Sequence, residues 1–376
     1  MNPLSVIHRK KVVILGDWSS LRKSPFEASR IVRRWLASAS SRVRAATVSS
    51  SCSLCLRADL ARLLSRLSPQ IFSDLLYVRA ADVNREAFGL LDRERADSRP
   101  FFLFLNYMDA HQPYFPPAPY DVKYPGKDDT LTPDRYWPIE FQALSGTRPY
   151  TDRDRQRDES QYDGGIAYID ACLDELFGRL KQLGLYTNSL IIVTSDHGQS
   201  FGEKGLVGHG SSVYQEQVHV PLIIKYPGAV RGEVRTDLAS HVDLLPTILD
   251  ALGYEAAASL PGHSLRREPR QQTTVFSESF PCDLLVSLRE RFRRVERAAF
   301  LGEFKLIAST NGTRDFYDLS KDPHEEDNLY VERLPVAGSL EAGLRQWVSA
   351  LRPARAEPAI LDRRAMDSLK SLGYLQ

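Results

Sequence analysis

Five apolar or β-branched residues, Leu190 to Thr194, run directly into Ser195-Asp196-His197-Gly198. So short a run, without polar alternation, reads as a strand buried on both faces, as in sheets covered by helices. A carboxylate and an imidazole where such a strand gives way to a glycine-bearing loop lie where open α/β sheets keep their ligands. A second apolar run, Val220 to Tyr226, then returns to the sheet, and between the two runs lie five glycines with His209 and His219.

The segment before this strand is patterned for a helix. Ile166, Ile169, Leu173, Leu176, Leu180 and Leu183 recur at steps of three and four, one apolar stripe for a sheet face. Asp163 is placed to cap its start and Gly184 to end it. Earlier still, Phe101 to Leu105 is another buried-strand run, followed by a proline-rich loop from Gln112 to Pro125. Strand, helix and strand in this order make a right-handed crossover with both strand ends on one edge. The loop of His111 is therefore expected to face the loop of Asp196 and His197.

With 376 residues, 43% of them hydrophobic, the chain can bury one large core and a smaller appendage. The reading divides it into a poorly defined N-terminal segment (1–75), an α/β core (76–260) and a C-terminal α+β subdomain (261–376). In the first segment Lys11 to Leu15 reads as a strand. The stripe of Arg30, Arg33, Arg34, Arg42 and Arg44 reads as a solvated helix face, with an anionic membrane surface as the alternative. Tyr77 to Asp92 reads as a helix, and Asp128 to Glu159 as a polar surface excursion. His241 opens a helix with Asp243 near its cap and Pro246 in its first turn. Beyond Gly262, Val275–Ser279, Ala298–Leu301, Phe304–Ile307 and Arg314–Leu319 read as short strands, with a hairpin signal at Asn311-Gly312.

A net charge of +1 gives no pull toward nucleic acid, and four cysteines make no disulfide framework. No apolar run is long enough to span a membrane, and the N-terminus lacks a signal-peptide core. As written the chain is expected to be cytoplasmic, although a longer native form could be exported or membrane-anchored. Its oligomeric state is open.

Four stretches in order carry a family resemblance: FFLFLNYMDAHQPYFPP, YDGGIAYIDACLDELFGRLKQLGLY, TSDHG with GEKGLVGHG and VYQEQVHVPLIIKYPG, and DFYDLSKDPHEEDNL. Together they resemble the sulfatase branch of the alkaline phosphatase superfamily, from about residue 75 onward. The resemblance implies an α/β fold, a mainly parallel sheet sandwiched by helices, with a small C-terminal antiparallel sheet plus helix. It implies a hydrolase of sulfuric esters acting on a small anionic ester.

By ligand type alone, Asp196 and His197 suit Ca²⁺, Mn²⁺ or Zn²⁺; the pair alone could equally be a hydrogen-bonded turn. The resemblance makes them metal ligands, with Ca²⁺ first and Mn²⁺ or Zn²⁺ open. It makes His111 and His209 catalytic, contacting substrate oxygens. Many sulfatases carry Asp-Asn where this chain has Asp196-His197, which keeps a phosphonate or phosphodiester hydrolase as the alternative. His219 reads as structural, and His241 as a group behind the site or a helix-start hydrogen bond.

The nucleophile of sulfatases is a formylglycine made from cysteine in a Cys-x-Pro-Ser-Arg stretch, and this sequence has none. Cys52 to Arg57 is the nearest imitation, with Asp17 as a stand-in metal ligand. The expectation is an N-terminally truncated form with little activity as given, or else a non-catalytic fragment or pseudoenzyme that binds an anion.

Overall fold

The strand Leu190–Thr194 is buried along its whole length, because its two faces meet two different apolar layers. Ile191 and Val193 pack with Leu103, Leu105, Ile169 and Leu176. Leu190 and Ile192 pack with Phe102, Ile224, Leu244 and Ile248. In this computed structural model the described residues are 11–15, 78–94, 101–267, 273–330 and 335–351. Asp17, the arginine stripe of residues 30–44, Cys52 and Cys55 lie outside them.

In chain order the first layer is built from β1 (Lys11–Leu15), α1 (Ala80–Glu94), β2 (Phe102–Asn106), α2 (Pro133–Ser145), α3 (Asp152–Gln182) and β3 (Leu190–Thr194). The short strands β4 (Ser200–Phe201) and β5 (Val207–Gly208), α4 (Gln215–Val218), β6 (Leu222–Lys225) and α5 (Leu244–Ala251) follow. The sheet order is β2-β1-β3-β6. Helices α1 and α3 cover one face and α5 the other, the layered α/β arrangement expected.

Strand direction corrects the expectation of a mainly parallel sheet. β1 lies between β2 and β3 and runs antiparallel to both, and β6 is antiparallel to β3. β2 and β3 thus point the same way, as the helical crossover requires, but β1 separates them. Their carboxyl ends still open on one edge.

Helix α3 begins at Asp152, well before Asp163. Its cap is Thr151, paired with Asp154 in a reciprocal capping box. The region read as a polar surface excursion is α2 and the first turns of α3, and Asp154, Arg157 and Asp158 there are buried. These side chains bond one another, so burial leaves no apolar period for the sequence to display.

The second sheet is antiparallel, ordered β10-β9-β8-β7, from β7 (Val275–Ser279), β8 (Glu296–Leu301), β9 (Phe304–Ser309) and β10 (Arg314–Asp318). Leu306 and Phe316 pack against Leu340 and Leu344 of α6 (Pro335–Ala350). Ala298, Phe300, Ile307 and Tyr317 pack with Val213, Tyr214 and Val218, supporting the segment that follows His209. No helix among the described residues is long and apolar enough to cross a membrane.

Candidate functional site

The chain leaves β3 through a tightly bonded turn. Ser195 Oγ donates to His197 O at 2.7 Å. Gly198 N donates to Gln217 O at 2.7 Å and Gln199 N to Glu216 O at 2.6 Å. A Cβ on Gly198 would stand 2.0 Å from Glu216 O, so only glycine permits this approach. Gln217 is almost fully buried. Its Oε1 accepts from Ser211 N at 3.1 Å and Ser212 N at 3.2 Å, while Nε2 donates to Ser200 Oγ and Ser211 Oγ, both at 3.0 Å. Through its backbone carbonyl and its side chain, Gln217 therefore ties the Asp196-His197 turn to the segment after His209.

That segment is also anchored to the second sheet. Glu325 Oε2 accepts from Gln215 N at 2.6 Å. Glu325 Oε1 lies 2.5 Å from Lys305 Nζ, both side chains fully sealed from solvent. This contact is a fully buried ion pair. Burial pushes the Lys305 ammonium down, and Glu325 opposes that shift.

His111 sits in a turn after β2, with His111 N donating to Met108 O at 2.8 Å. The turn rests on buried polar groups. Asp109 Oδ2 accepts from Ala80 N at 2.8 Å, and its Oδ1 meets Arg79 Nη1 at 3.3 Å. Burial pushes the Asp109 carboxyl up to about 6 against the pull of Arg79. Gln112 Nε2 donates to Glu140 Oε1 at 2.7 Å. Burial first, then repulsion from Asp158, pushes the Glu140 carboxyl up to about 8. His209 lies between Gly208 (φ +83°) and Gly210 (φ +75°), left-handed positions that turn the chain on either side of it.

The structure brings the four expected side chains together. The His197 and His209 rings stack with centroids 3.9 Å apart. His111 meets His209 edge-on at 5.4 Å. Asp196 Oδ1 lies 4.0 Å from His197 Nε2.

The ring nitrogens have consistent settings. His111 Nδ1 lies 2.5 Å from Gln112 O, His197 Nδ1 2.7 Å from Gly198 O, and His209 Nδ1 3.0 Å from Gln199 Oε1. Nδ1 of His111 and of His197 faces a backbone carbonyl, which only accepts, and so carries the proton of the neutral ring. Nε2 is then the lone-pair nitrogen of the neutral ring and a donor once protonated.

An open cleft of about 1540 Å³ borders the site, with Asp196, His197, Thr194, Ser212, His219 and His241 among its lining residues. His111 and His209 are not part of this wall; they join the site through the His197 ring. His241 Nε2 lies 3.4 Å from Thr194 Oγ1, which places it behind the end of β3 as well as at the helix start.

Asp196 and His197 fit two positions around one cation. Donors each about 2.0–2.4 Å from a metal can lie 4.0 Å apart, and the Nδ1 bond of His197 presents Nε2 as a metal-bound imidazole requires. Among the described residues no group of three or more His, Cys, Asp or Glu could complete such a shell.

Sequence reasoning missed Gln112, Glu140, Gln199 and Gln217. Glutamine has no periodic signature, and Glu140 lies in the stretch read as surface. It also passed over His263, whose Nδ1 lies 3.1 Å from Asp243 Oδ1. Asp243 in turn forms a capping box with the N-cap Ser240 at the start of α5's approach turn.

Comparison with known proteins gives matches over most of this architecture. The Sulfatase family model matches residues 63–254. The model described as N-sulphoglucosamine sulphohydrolase, C-terminal, matches residues 202–352. The chain is 29% identical over 280 residues to the multifunctional alkaline phosphatase superfamily protein PehA of Trinickia caryophylli, covering 62% of this chain and 52% of that one. It is 27% identical to arylsulfatase K of Bos taurus, covering 70% of this chain and 54% of that one. The chain thus spans about half the length of these curated relatives. The phosphonate monoester hydrolase SpPMH of Silicibacter pomeroyi shares the fold, with a TM-score of 0.53 at 24% identity over 72% of this chain and 60% of that one.

Proposed function

Because this chain belongs to the sulfatase family, we propose that its site binds a small anionic ester and serves the hydrolysis of sulfuric esters. The observation that carries the reading is the contact chain Asp196–His197–His209–His111, with Nδ1 of all three histidines held by an oxygen. Nε2 of His111 and His209, when protonated, donates to the oxygens of a tetrahedral anion or to the leaving group. Asp196 and His197 would hold a divalent ion, Ca²⁺ first and Mn²⁺ or Zn²⁺ as alternatives, which would supply Lewis-acid stabilisation of the anion's charge.

The chain as given is proposed to turn esters over slowly. It carries no Cys-x-Pro-Ser-Arg stretch, and covalent catalysis without its nucleophile loses several orders of magnitude. Cys172 does not substitute, because burial pushes its thiol up to about 11 and keeps it protonated near neutral pH. A phosphonate or phosphodiester substrate is the second reading, favoured by the histidine at 197.

The test loads the purified chain with Ca²⁺, Mn²⁺ or Zn²⁺. Sulfate and methylphosphonate binding are measured by calorimetry, and an aryl sulfate and an aryl phosphonate ester are assayed. Binding that weakens about tenfold or more in His197→Ala and His209→Ala supports the site. Binding indifferent to both substitutions overturns it. The preferred anion and ester separate the two substrate readings. Robust turnover abolished by Cys52→Ala would overturn the expected low activity and make Cys52 the nucleophile.

A further inference from the structure

A sealed polar cluster stands beside the two catalytic candidates. Glu140 of α2 is 2% exposed. Its Oε1 accepts from the amide of Gln112, the residue after His111. The same oxygen borders Gly208, the residue before His209: a Cβ there would lie 3.8 Å from Glu140 Oε1 and 3.6 Å from Gln112 Oε1. A single carboxyl therefore bonds the His111 loop and borders the His209 loop.

Its charged neighbours come from α3 and the segment before it. Arg157 bonds Asp154 at 3.0 Å and Asp158 at 2.9 Å, Arg148 meets Asp154 at 2.9 Å, and Tyr150 Oη donates to Asp158 at 2.9 Å. On α2 itself, Tyr136 Oη accepts from Gln112 Nε2 at 3.3 Å. Two carboxylates and two guanidiniums leave that group neutral. Among the described residues no cation lies within ion-pair reach of Glu140, so its ionised form would be an unmatched buried charge, which proteins avoid by keeping the group protonated.

We propose that Glu140, held as the neutral acid, is a positioning residue for His111 and His209, setting the Gln112 amide beside Gly208 so that its ionisation shifts both loops together. The inference rests on the reading that these two histidines serve the site. Ionisation is set in the mildly alkaline range, since the carboxyl is pushed up to about 8.

The experiment follows backbone amide resonances of Gln112, Gly208 and Gly210 in the ¹⁵N-labelled full chain from pH 7 to 9.5. Wild type is expected to show one shared transition with a midpoint near 8. Glu140→Gln, whose amide oxygen still accepts from Gln112, is expected to hold the pH 7 positions throughout. Asp158→Asn removes the repelling carboxylate and should lower the wild-type midpoint by roughly one pH unit. Resonances that stay still in wild type, or move equally in Glu140→Gln, overturn the proposal. If Glu140→Gln does not fold, an unchanged midpoint in Asp158→Asn overturns it. The readout needs no metal, anion or ester, so failure of the hydrolase reading shows in calorimetry and failure of the Glu140 role shows here.

Discussion

Each half of the candidate site leans on a sealed glutamate, and the two are matched differently. Under the segment after His209, Glu325 pairs with Lys305 and accepts from the Gln215 backbone. Beside His111 and His209, Glu140 accepts from the Gln112 amide and meets no cation among the described residues. Burial is nearly the same, 1% and 2% exposed, so the two differ in their partners. A matched carboxylate acts as a fixed anchor, whereas an unmatched one is an acid whose proton belongs to the structure.

The largest expected effect tests the turn that carries Asp196 and His197. Gly198→Ala forces a Cβ to within 2.0 Å of a backbone oxygen and should cost about 5 kcal/mol in denaturant unfolding, because neither backbone can yield cheaply. A cost near 1 kcal/mol would mean the turn is softer than its bonds imply.

Lys305→Met breaks the matched side of the comparison. It strands Glu325 without its cation and should cost about 3–5 kcal/mol, with the double variant Lys305→Met/Glu325→Gln markedly milder. Equal costs for the single and double variants would show that packing, not charge matching, governs this anchor.

The unmatched side is sharpened by pH. The folded Glu140 carboxyl is raised from its ordinary 4.5 to about 8. Its contribution to stability is therefore complete below pH 4.5 and is lost as pH rises through about 8. Subtracting the Glu140→Gln profile isolates this group from Asp109 and Asp163, both raised to about 6. The difference should change by up to about 1.4 kcal/mol per pH unit inside the window. Parallel profiles would assign the pH dependence to other carboxyls.

The smallest effect separates the cluster from the helix that carries it. Thr151 Oγ1 accepts from Asp154 N at 3.3 Å and donates to Asp154 Oδ2 at 2.6 Å. Thr151→Ala should cost about 1 kcal/mol without moving the alkaline transition, since it removes a cap and leaves Glu140 in place. A displaced transition would mean the cap and the acid are coupled through Asp154.

Much of the fold was legible because its signals are local. The short run Val275–Ser279, read as a strand, is β7 to the residue. Asn311-Gly312 closes the β9–β10 hairpin, with Gly312 at φ +95°. The stripe from Ile166 to Leu180 is the buried face of α3. The resemblance named Asp196, His197, His111 and His209, and the structure brings their side chains together. Less legible was what holds them: Gln217, Gln112 and Glu140 act through partners distant in sequence, and a single polar residue leaves no periodic trace.

By itself the sequence determined many of the elements and the edge of the sheet at which Asp196, His197 and His111 gather, because strand and helix periods and the strand–helix–strand crossover are written in neighbouring residues. Only the tertiary structure decided that β1 runs antiparallel between β2 and β3, that α3 starts at Asp152 on buried charges, and that Glu325 has a cation where Glu140 meets none among the described residues. Those outcomes depend on which groups meet after burial, where an unmatched charge or an unpaired polar group costs several kcal/mol that the chain in water never bears.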